Sequence, residues 1–456
     1  MSNIGICHYK VGGTDGVSLE MDKWKVVLEE MGHTVHLCGG DLGGREGFLI
    51  EELYHHRDDI ERITRNAFER LTDYENEEGL LTGILLLADR IEQGLRSFID
   101  EFSIDILIPN NIWSIGVNLP AAIAFARVVR ERGIPTIAHH HDFYWETFRG
   151  MMPTGAKVRR LVQEYLPPTD PLVVHVVINS LVQAELRKRN GVESTVVPNV
   201  FDFAGKPWCV DEYNHGLREA IGVHENDILV LQATRIVERK GIELAIDLVK
   251  ELGKPSNIAK LQQGGLYNGR RFDKDSRIVL ILAGYAEDKS GNYLSRLRWK
   301  IDQAGIEARF ISDRVASRRG ERGGKRLYSL WDCYAFADLV TYPSLFEGWG
   351  NQFLEAIRAK LPVAIFEYPV YKADIQEKGF DVISLGSAVE GTDESGLVYL
   401  SKAMVRRATD KTIEILADSS LRQAMVNRNF ELGSNNYSLE TLKQRLNSII
   451  KQTGNL

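Results

Sequence analysis

Residues 339–366 read LVTYPSLFEGWGNQFLEAIRAKLPVAIF, and this stretch decides the fold. Leu339 to Thr341 and Pro362 to Phe366 are short apolar runs of buried-strand character, while Gln352 to Ala359 between them carries helical spacing. The segment therefore predicts strand, glycine-containing turn, helix, strand, and a helical crossover of this kind makes its two strands parallel. Upstream the pattern repeats, with strands at Ile228 to Gln232, Ile278 to Ala283 and Arg309 to Ile311 separated by helices at Ile242 to Leu252 and Tyr293 to Gln303.

A second series of the same type occupies the N-terminal part of the chain. Strands are predicted at Ile4 to Cys7, Thr34 to Leu37, Asp105 to Pro109, Pro135 to His139 and Val173 to Ile178, with helices at Val17 to Glu30 and Pro120 to Arg132. Between them, residues 46–102 are charged and then apolar with helical spacing, which predicts an insertion of helices. The pattern breaks at VVPNVFDFAGKPW, residues 196–208, so the expected domains are 1–205 and 206–438. The last helical stretch, 439–456, can pack on either domain, the N-terminal one being preferred. The class is α/β, with two mostly parallel sheets whose ligand crevices lie at the carboxyl ends of the strands. Two such domains facing each other enclose a deep cleft.

The 456 residues are 44% apolar and 26% charged, which is a globular composition. A net charge of −7 offers no general attraction to a phosphate backbone and argues against a nucleic-acid partner. Cys7, Cys38, Cys209 and Cys333 form no Cys-x-x-Cys pair, so neither a zinc ribbon nor a disulfide framework is expected. The start has no apolar core of signal-peptide length, and no stretch is long and greasy enough for a transmembrane span. The expected location is cytoplasmic.

Four constellations carry chemistry. In KVGGTDGVS, residues 10–18, Gly12, Gly13 and Gly16 stand between strand and helix, where small residues let backbone amides approach an anion. Asp15 there can bond a sugar hydroxyl or simply cap the helix. In QATRIVERKGIEL, residues 232–244, Arg235 and Lys240 lie between a strand and a helix, and a diphosphate is the natural ligand of two cations so placed. Glu347 and Glu355 lie on either side of the glycine-rich turn. Glu347 at the loop can accept hydroxyl hydrogens of a donor sugar, Glu355 inside the helix can reach ribose hydroxyls, and the amides of Gly350, Asn351 and Gln352 face the diphosphate. Taken singly, each of these charges reads as ordinary surface; together they define a donor site. The fourth is RVASRRGERGGKR, residues 314–326, with six basic residues against one acidic. The plain alternative is a solvated disordered loop; the functional one is a flexible lid in which Arg318, Arg319 and Arg322 recognise an anionic acceptor.

His139, His140 and His141 invite a metal, but adjacent residues of a strand point to opposite faces, so at most two share one ion. No metal and no cofactor are expected.

The chain resembles the retaining glycosyltransferases of family 4, the GT-B group that includes sucrose-phosphate synthases and bacterial mannosyltransferases. The resemblance rests on the loop Gly12 to Gly16, the pair His141-Asp142, the Pro198-Asn199 turn, the Arg235 and Lys240 pair and the Glu-x7-Glu motif at Glu347 and Glu355. It implies two Rossmann-like domains of the GT-B type and a reaction that moves a hexose, glucose or mannose, from a UDP- or GDP-sugar to a small acceptor, anionic or a sugar, with retention. It further implies that Arg235 and Lys240 stabilise the leaving diphosphate, Glu355 holds the ribose, Glu347 the donor sugar, and His141 contacts the sugar near the reacting carbon. The departing phosphate then takes the acceptor proton, so no protein nucleophile is named. This chain departs from the family pattern at Trp349 and at Asn351-Gln352. The alternatives are a GT-B nucleotide-sugar epimerase or a phosphorylase and, outside enzymes, a sugar-nucleotide binding protein.

Overall fold

The structure is a computed structural model that describes residues 1–13, 15–146, 150–287 and 291–454. The chain divides into two compact units, Met1–Val200 with Leu439–Leu456, and Phe201–Ser438. Of the terminal stretch 439–456, residues 455–456 lie outside the described residues.

The first unit holds seven strands, β1 (Asn3–His8), β2 (Thr34–Gly39), β3 (Phe48–Leu49), β4 (Ile106–Pro109), β5 (Thr136–His140), β6 (Val173–Val177) and β7 (Ser194–Val196). They run parallel in the order β3-β2-β1-β4-β5-β6-β7, so the order reverses between β1 and β4. Ligands of open parallel sheets bind at such a switch point, beyond the carboxyl ends of the strands. The strands are short and apolar because both faces are covered, as Ile4, Ile6, Ile108 and Ile137 at 0% exposure illustrate.

Residues 46–102 correct the prediction of an all-helical insertion. Helices form at Asp58–Phe68 and Glu77–Phe102, but Phe48 and Leu49 pair with Cys38 and Gly39 and extend the sheet by one edge strand. Charged residues at helical spacing gave way there to backbone pairing at a sheet edge. The Glu77–Phe102 helix buries Ile84, Ile91, Leu95 and Phe98 against the Leu119–Arg132 helix, a stripe at i, i+7, i+11 and i+14.

The second unit holds a six-stranded parallel sheet of β8 (Ile228–Gln232), β9 (Ile278–Leu282), β10 (Glu307–Phe310), β14 (Leu339–Tyr342), β15 (Val363–Ile365) and β16 (Ile383–Ser384). Its order is β10-β9-β8-β14-β15-β16, which reverses between β8 and β14.

Three further strands correct the reading of the basic segment as a disordered loop or flexible lid. They are β11 (Val315–Ala316), β12 (Gly320–Arg322) and β13 (Lys325–Ser329), and β12 and β13 form an antiparallel ribbon with Arg322 opposite Lys325. Gly323 and Gly324 between them have φ of 57° and 72°, the two left-handed residues of a tight hairpin turn. The Tyr213 hydroxyl lies 2.7 Å from the Gly320 carbonyl oxygen and 2.8 Å from that of Leu327, which holds the ribbon down. Arg319 bonds the buried carboxylate of Asp332 through Nε at 3.1 Å and pairs with Asp211 at 2.8 Å, so its guanidinium answers internal acids. Arg318 and Arg322 remain exposed.

Among the described residues no helix is long and apolar enough to cross a membrane. The Leu439–Thr453 helix carries Leu442, Leu446 and Ile449 at i, i+4 and i+7, and all three lie in the core of the first unit with Ile4, Ile6 and Trp24. The helix therefore completes that core. Leu446→Ala is expected to lower unfolding free energy by about 2–5 kcal/mol, read by urea denaturation. An unchanged midpoint would place the helix outside the cooperative core.

Candidate active site

The site in the second unit is built by two loops that follow the strands on either side of its switch point. Gly241, at φ +56°, starts the helix Ile242–Leu252, and a Cβ on it would sit 2.4 Å from the carbonyl oxygen of Pro343. Only glycine permits this approach. Next to it, the Leu345 N–H donates to the Arg239 carbonyl oxygen at 2.8 Å. These two contacts join the loop after β8 to the loop after β14 and set Lys240 and Arg239 beside Glu347.

Lys240 Nζ donates to Glu347 Oε1, and Arg239 Nη1 donates to Oε2 at 2.9 Å. Lys240 is 3% exposed and Glu347 8%. Burial pushes the Glu347 carboxyl up, but the charges of Lys240 and Arg239 outweigh it and hold the group at about 2. Burial lowers the Lys240 ammonium, and Glu347 opposes that shift. The result is a buried lysine–glutamate pair flanked by a half-buried arginine, two cations around one carboxylate.

Glu355 lies on the Asn351–Arg358 helix, buried, and accepts a hydrogen bond of 2.8 Å from the Tyr334 hydroxyl. Gly350 stands at the N-cap of that helix, and Asn351 and Gln352 are its first residues. Arg235 makes no bond to Glu347 in this arrangement. Its guanidinium pairs with Glu287 at 2.5 Å, in the loop after β9, where the Ile236 N–H donates to the Tyr285 carbonyl oxygen at 2.9 Å. Arg235 still acts on Lys240 through its charge, and the cation that shares the Glu347 carboxylate with Lys240 is Arg239. Arg239 and Tyr334 went unread in the sequence; Arg239 adjoins Lys240, and the choice between neighbouring basic residues depends on which one the Leu345 contact turns toward Glu347.

In the first unit the carboxyl ends of β1, β4 and β5 collect polar residues at the switch point. Gly13 lies in the turn after β1 and Gly16 opens the Gly16–Glu30 helix. Asp15 is the N-cap, its Oδ1 accepting from the Val17 and Ser18 N–H groups at 3.1 and 3.0 Å. Capping, the plainer of its two readings, is what the geometry displays. Burial acts to raise the Asp15 carboxyl, but the Ser18 bonds and His8 hold it below its ordinary value.

The three adjacent histidines alternate as the pleat requires. His139 and His141 share one face with ring centroids 4.2 Å apart, His139 bonding Asn110 Oδ1 at 2.9 Å and stacking on Trp24. His140 turns the other way, to His175, with 3.0 Å between Nε2 and Nδ1. His141 is fixed through its backbone N–H, which donates to Asn111 Oδ1 at 2.7 Å, and its buried Nε2 has no hydrogen-bond partner among the described residues. His8 at the end of β1 bonds the Asn110 carbonyl oxygen at 2.8 Å. His8, Asn110 and Asn111 also went unread, and their place at the carboxyl ends of β1 and β4 was the available signal. Among the described residues no three His, Cys, Asp or Glu side chains are grouped to hold a metal ion.

Comparison with known proteins places this geometry in a family. Residues 216–431 match the model of the glycosyl transferases group 1. The chain is 39% identical over 440 residues to mannosylglucosylglycerate synthase of Petrotoga mobilis, covering 96% of this chain and 98% of that protein. It is 37% identical over 443 residues to the enzyme of the same name from Thermotoga maritima, with 97% and 98% covered. Among solved structures it is similar to HepE of Anabaena in complex with UDP, at 15% identity, TM-score 0.58 and 99% and 100% coverage. Sucrose-phosphate synthase from Thermosynechococcus elongatus is similar at 12% identity, TM-score 0.57 and 99% coverage of both chains. The fold is that of the GT-B glycosyltransferases. The chain carries a group 1 glycosyl transferase domain, belongs to the same family as the two mannosylglucosylglycerate synthases, and is a hexosyltransferase enzyme.

The buried imidazoles give the protein an acid limit. Burial holds His139 and His140 well below 6.5 and His141 and His175 at about 4. The unfolded chain takes up protons from about pH 6.5 downward while the folded chain does not, so their contribution to stability is present above that pH and is lost on acidification toward 4. A shift of this size corresponds to about 3 kcal/mol for each of His141 and His175. Urea midpoints are expected to fall steadily between about pH 6.5 and 4.5; a flat profile over that range would show the rings to be protonated in the fold.

Proposed function

We propose that the enzyme transfers a mannosyl group from a nucleoside diphosphate mannose, GDP- or UDP-linked, to glucosylglycerate, with retention of anomeric configuration and without a metal. The observation that carries this reading is the end-to-end match to two mannosylglucosylglycerate synthases. Their product is named for a mannosyl unit added to glucosylglycerate, an acceptor that is both a sugar and an anion. The buried Lys240 and the half-buried Arg239 beside it support it chemically, because cleavage of the anomeric C–O bond leaves charge on a diphosphate.

In this reading the anomeric C–O bond to the diphosphate breaks and an acceptor hydroxyl oxygen bonds to the same face of the anomeric carbon. The hydroxyl proton passes to the departing phosphate oxygen. Lys240 and Arg239, with Arg235 after it leaves Glu287, meet the growing charge together with the amides of Gly350, Asn351 and Gln352. Glu347 holds the two cations in place and accepts a hydrogen bond from the donor sugar, Glu355 holds the ribose, and His141 offers its unpartnered Nε2 to the transferred sugar. Gly13 and Gly16 keep the turn after β1 open to the donor. The epimerase, phosphorylase and binding-protein alternatives yield to the family assignment.

Incubation with GDP-, UDP- and ADP-linked mannose and glucose plus glucosylglycerate is expected to yield a mannosylated product from one nucleotide, its anomeric configuration unchanged by NMR. Absence of transfer to glucosylglycerate from every donor would overturn the reading, and an inverted product would overturn retention. Lys240→Met and Glu347→Gln are each expected to lower kcat by roughly 100-fold or more while the protein stays folded. Activity is expected to survive EDTA; loss with rescue by magnesium or manganese would assign the charge to a metal instead.

A further inference from the structure

Beside the first βα turn, the segment CGGDLGGREG at 38–47 walls a cavity of about 470 Å³ that no step of the proposed reaction uses. It lies past the carboxyl ends of β2 and β3, the side of a parallel sheet on which ligands bind. The backbone is close-packed there: a Cβ on Gly40 would sit 1.9 Å from the Tyr54 nitrogen. The Val11 N–H donates to the Asp41 carbonyl oxygen at 2.8 Å, so the wall is continuous with the turn that holds Gly13.

The lining combines groups of several kinds. Asp41 and Glu51 supply carboxylates, Tyr54 an aromatic ring, Leu49 an apolar surface left 49% exposed, and Arg57 a guanidinium. Carboxylates accept sugar hydroxyl hydrogens, ring and leucine suit the apolar face of a pyranose, and a guanidinium suits an acid.

Arg57 is held unequally on its two sides. Its Nε and Nη2 each lie 3.1 Å from Oδ1 and Oδ2 of Asp59, a two-point grip that fixes the plane of the group. Its Nη1 makes a single bond of 3.2 Å to Glu51, whose side chain is 70% exposed. An exposed single-point ion pair is weak and readily exchanged, while a two-point grip persists.

We propose that this cavity is the anion-reading part of the acceptor site: Arg57, positioned by Asp59, exchanges Glu51 for the carboxylate of glucosylglycerate and so selects an acid over its neutral analogue. The inference rests on the mannosyl transfer proposed above for the acceptor's identity. Glu51 then acts as an internal competitor that occupies Arg57 until the acceptor arrives.

The test compares wild type, Arg57→Gln and Glu51→Gln with glucosylglycerate and with neutral glucosylglycerol, and also titrates glucosylglycerate into donor-free protein by calorimetry. Arg57→Gln is expected to raise KM and Kd for glucosylglycerate at least about tenfold, with the donor KM and the KM for glucosylglycerol little changed. Glu51→Gln is expected to lower KM and Kd for glucosylglycerate, and this variant decides alone if Arg57→Gln does not fold. Equal losses on both acceptors, or unchanged values in both variants, would overturn the subsite. Donor-free binding separates the two ideas: a wild type that binds glucosylglycerate through Arg57 but transfers nothing to it sinks the proposed reaction and keeps the subsite, whereas transfer unaffected by either substitution sinks the subsite alone.

Discussion

Removing a lysine and a glutamate from water together is tolerable only if each charge is answered at contact distance, and this constraint organises the second unit. Lys240 and Glu347 come from loops 107 residues apart in sequence, and both are nearly inaccessible. Neither can be buried unless the loops touch, and the loops touch only because Gly241 has no side chain to hold Pro343 away. A buried pair of this kind is poor evidence of stability, since well-packed apolar residues of the same volume often do as well. Its consequence is preorganisation. Lys240 is already desolvated and oriented, and in the proposed reaction little rearrangement of it is then needed as charge develops on the leaving group.

The first unit meets a different demand with the same architecture. Parallel strands leave their carboxyl ends on one edge, and the order reversal between β1 and β4 opens a gap there that side chains must line. His8, Asn110, Asn111 and His141 line it with neutral hydrogen-bonding groups, beside the acids Asp15 and Asp142. Burial keeps the histidines neutral, outweighing the pull of Asp15 and Asp142 on His8 and His141. Neutral donors and acceptors suit hydroxyl-rich ligands, as fixed cations suit phosphates.

Much of this was legible in the sequence, and the parts that were not share a physical cause. The helix Ile242–Leu252 and the strand Ile228–Gln232 were read to the residue, because apolar runs in a parallel sheet have no alternative placement. Residues 46–57 misled because their charges fall at helical spacing, whereas the strand at Phe48 and Leu49 is fixed by pairing with Cys38 and Gly39 across the sheet. The ribbon at 320–329 did carry a local signal, two consecutive glycines between alternating residues, but the density of positive charge suggested a solvated loop instead. Arg239 was invisible for a stricter reason: nothing in a string of Glu-Arg-Lys says that both cations will meet one carboxylate on a distant loop.

Two arginines show why residue type alone does not identify an anion site. Arg319 looked like a lid residue because it sits among cations, yet it engages Asp332, whose side chain is 2% exposed. Asp332 is also bonded by Asn214 and Ser329, so Arg319 is one member of a buried polar network and its charge is answered inside the fold. Arg57 attracts no notice in the sequence, being one charge in an acidic helical stretch. Its second partner, Glu51, is 70% exposed and returns to water when displaced. The burial of the partner, which only the fold supplies, is what separates a guanidinium committed to structure from one available to a substrate.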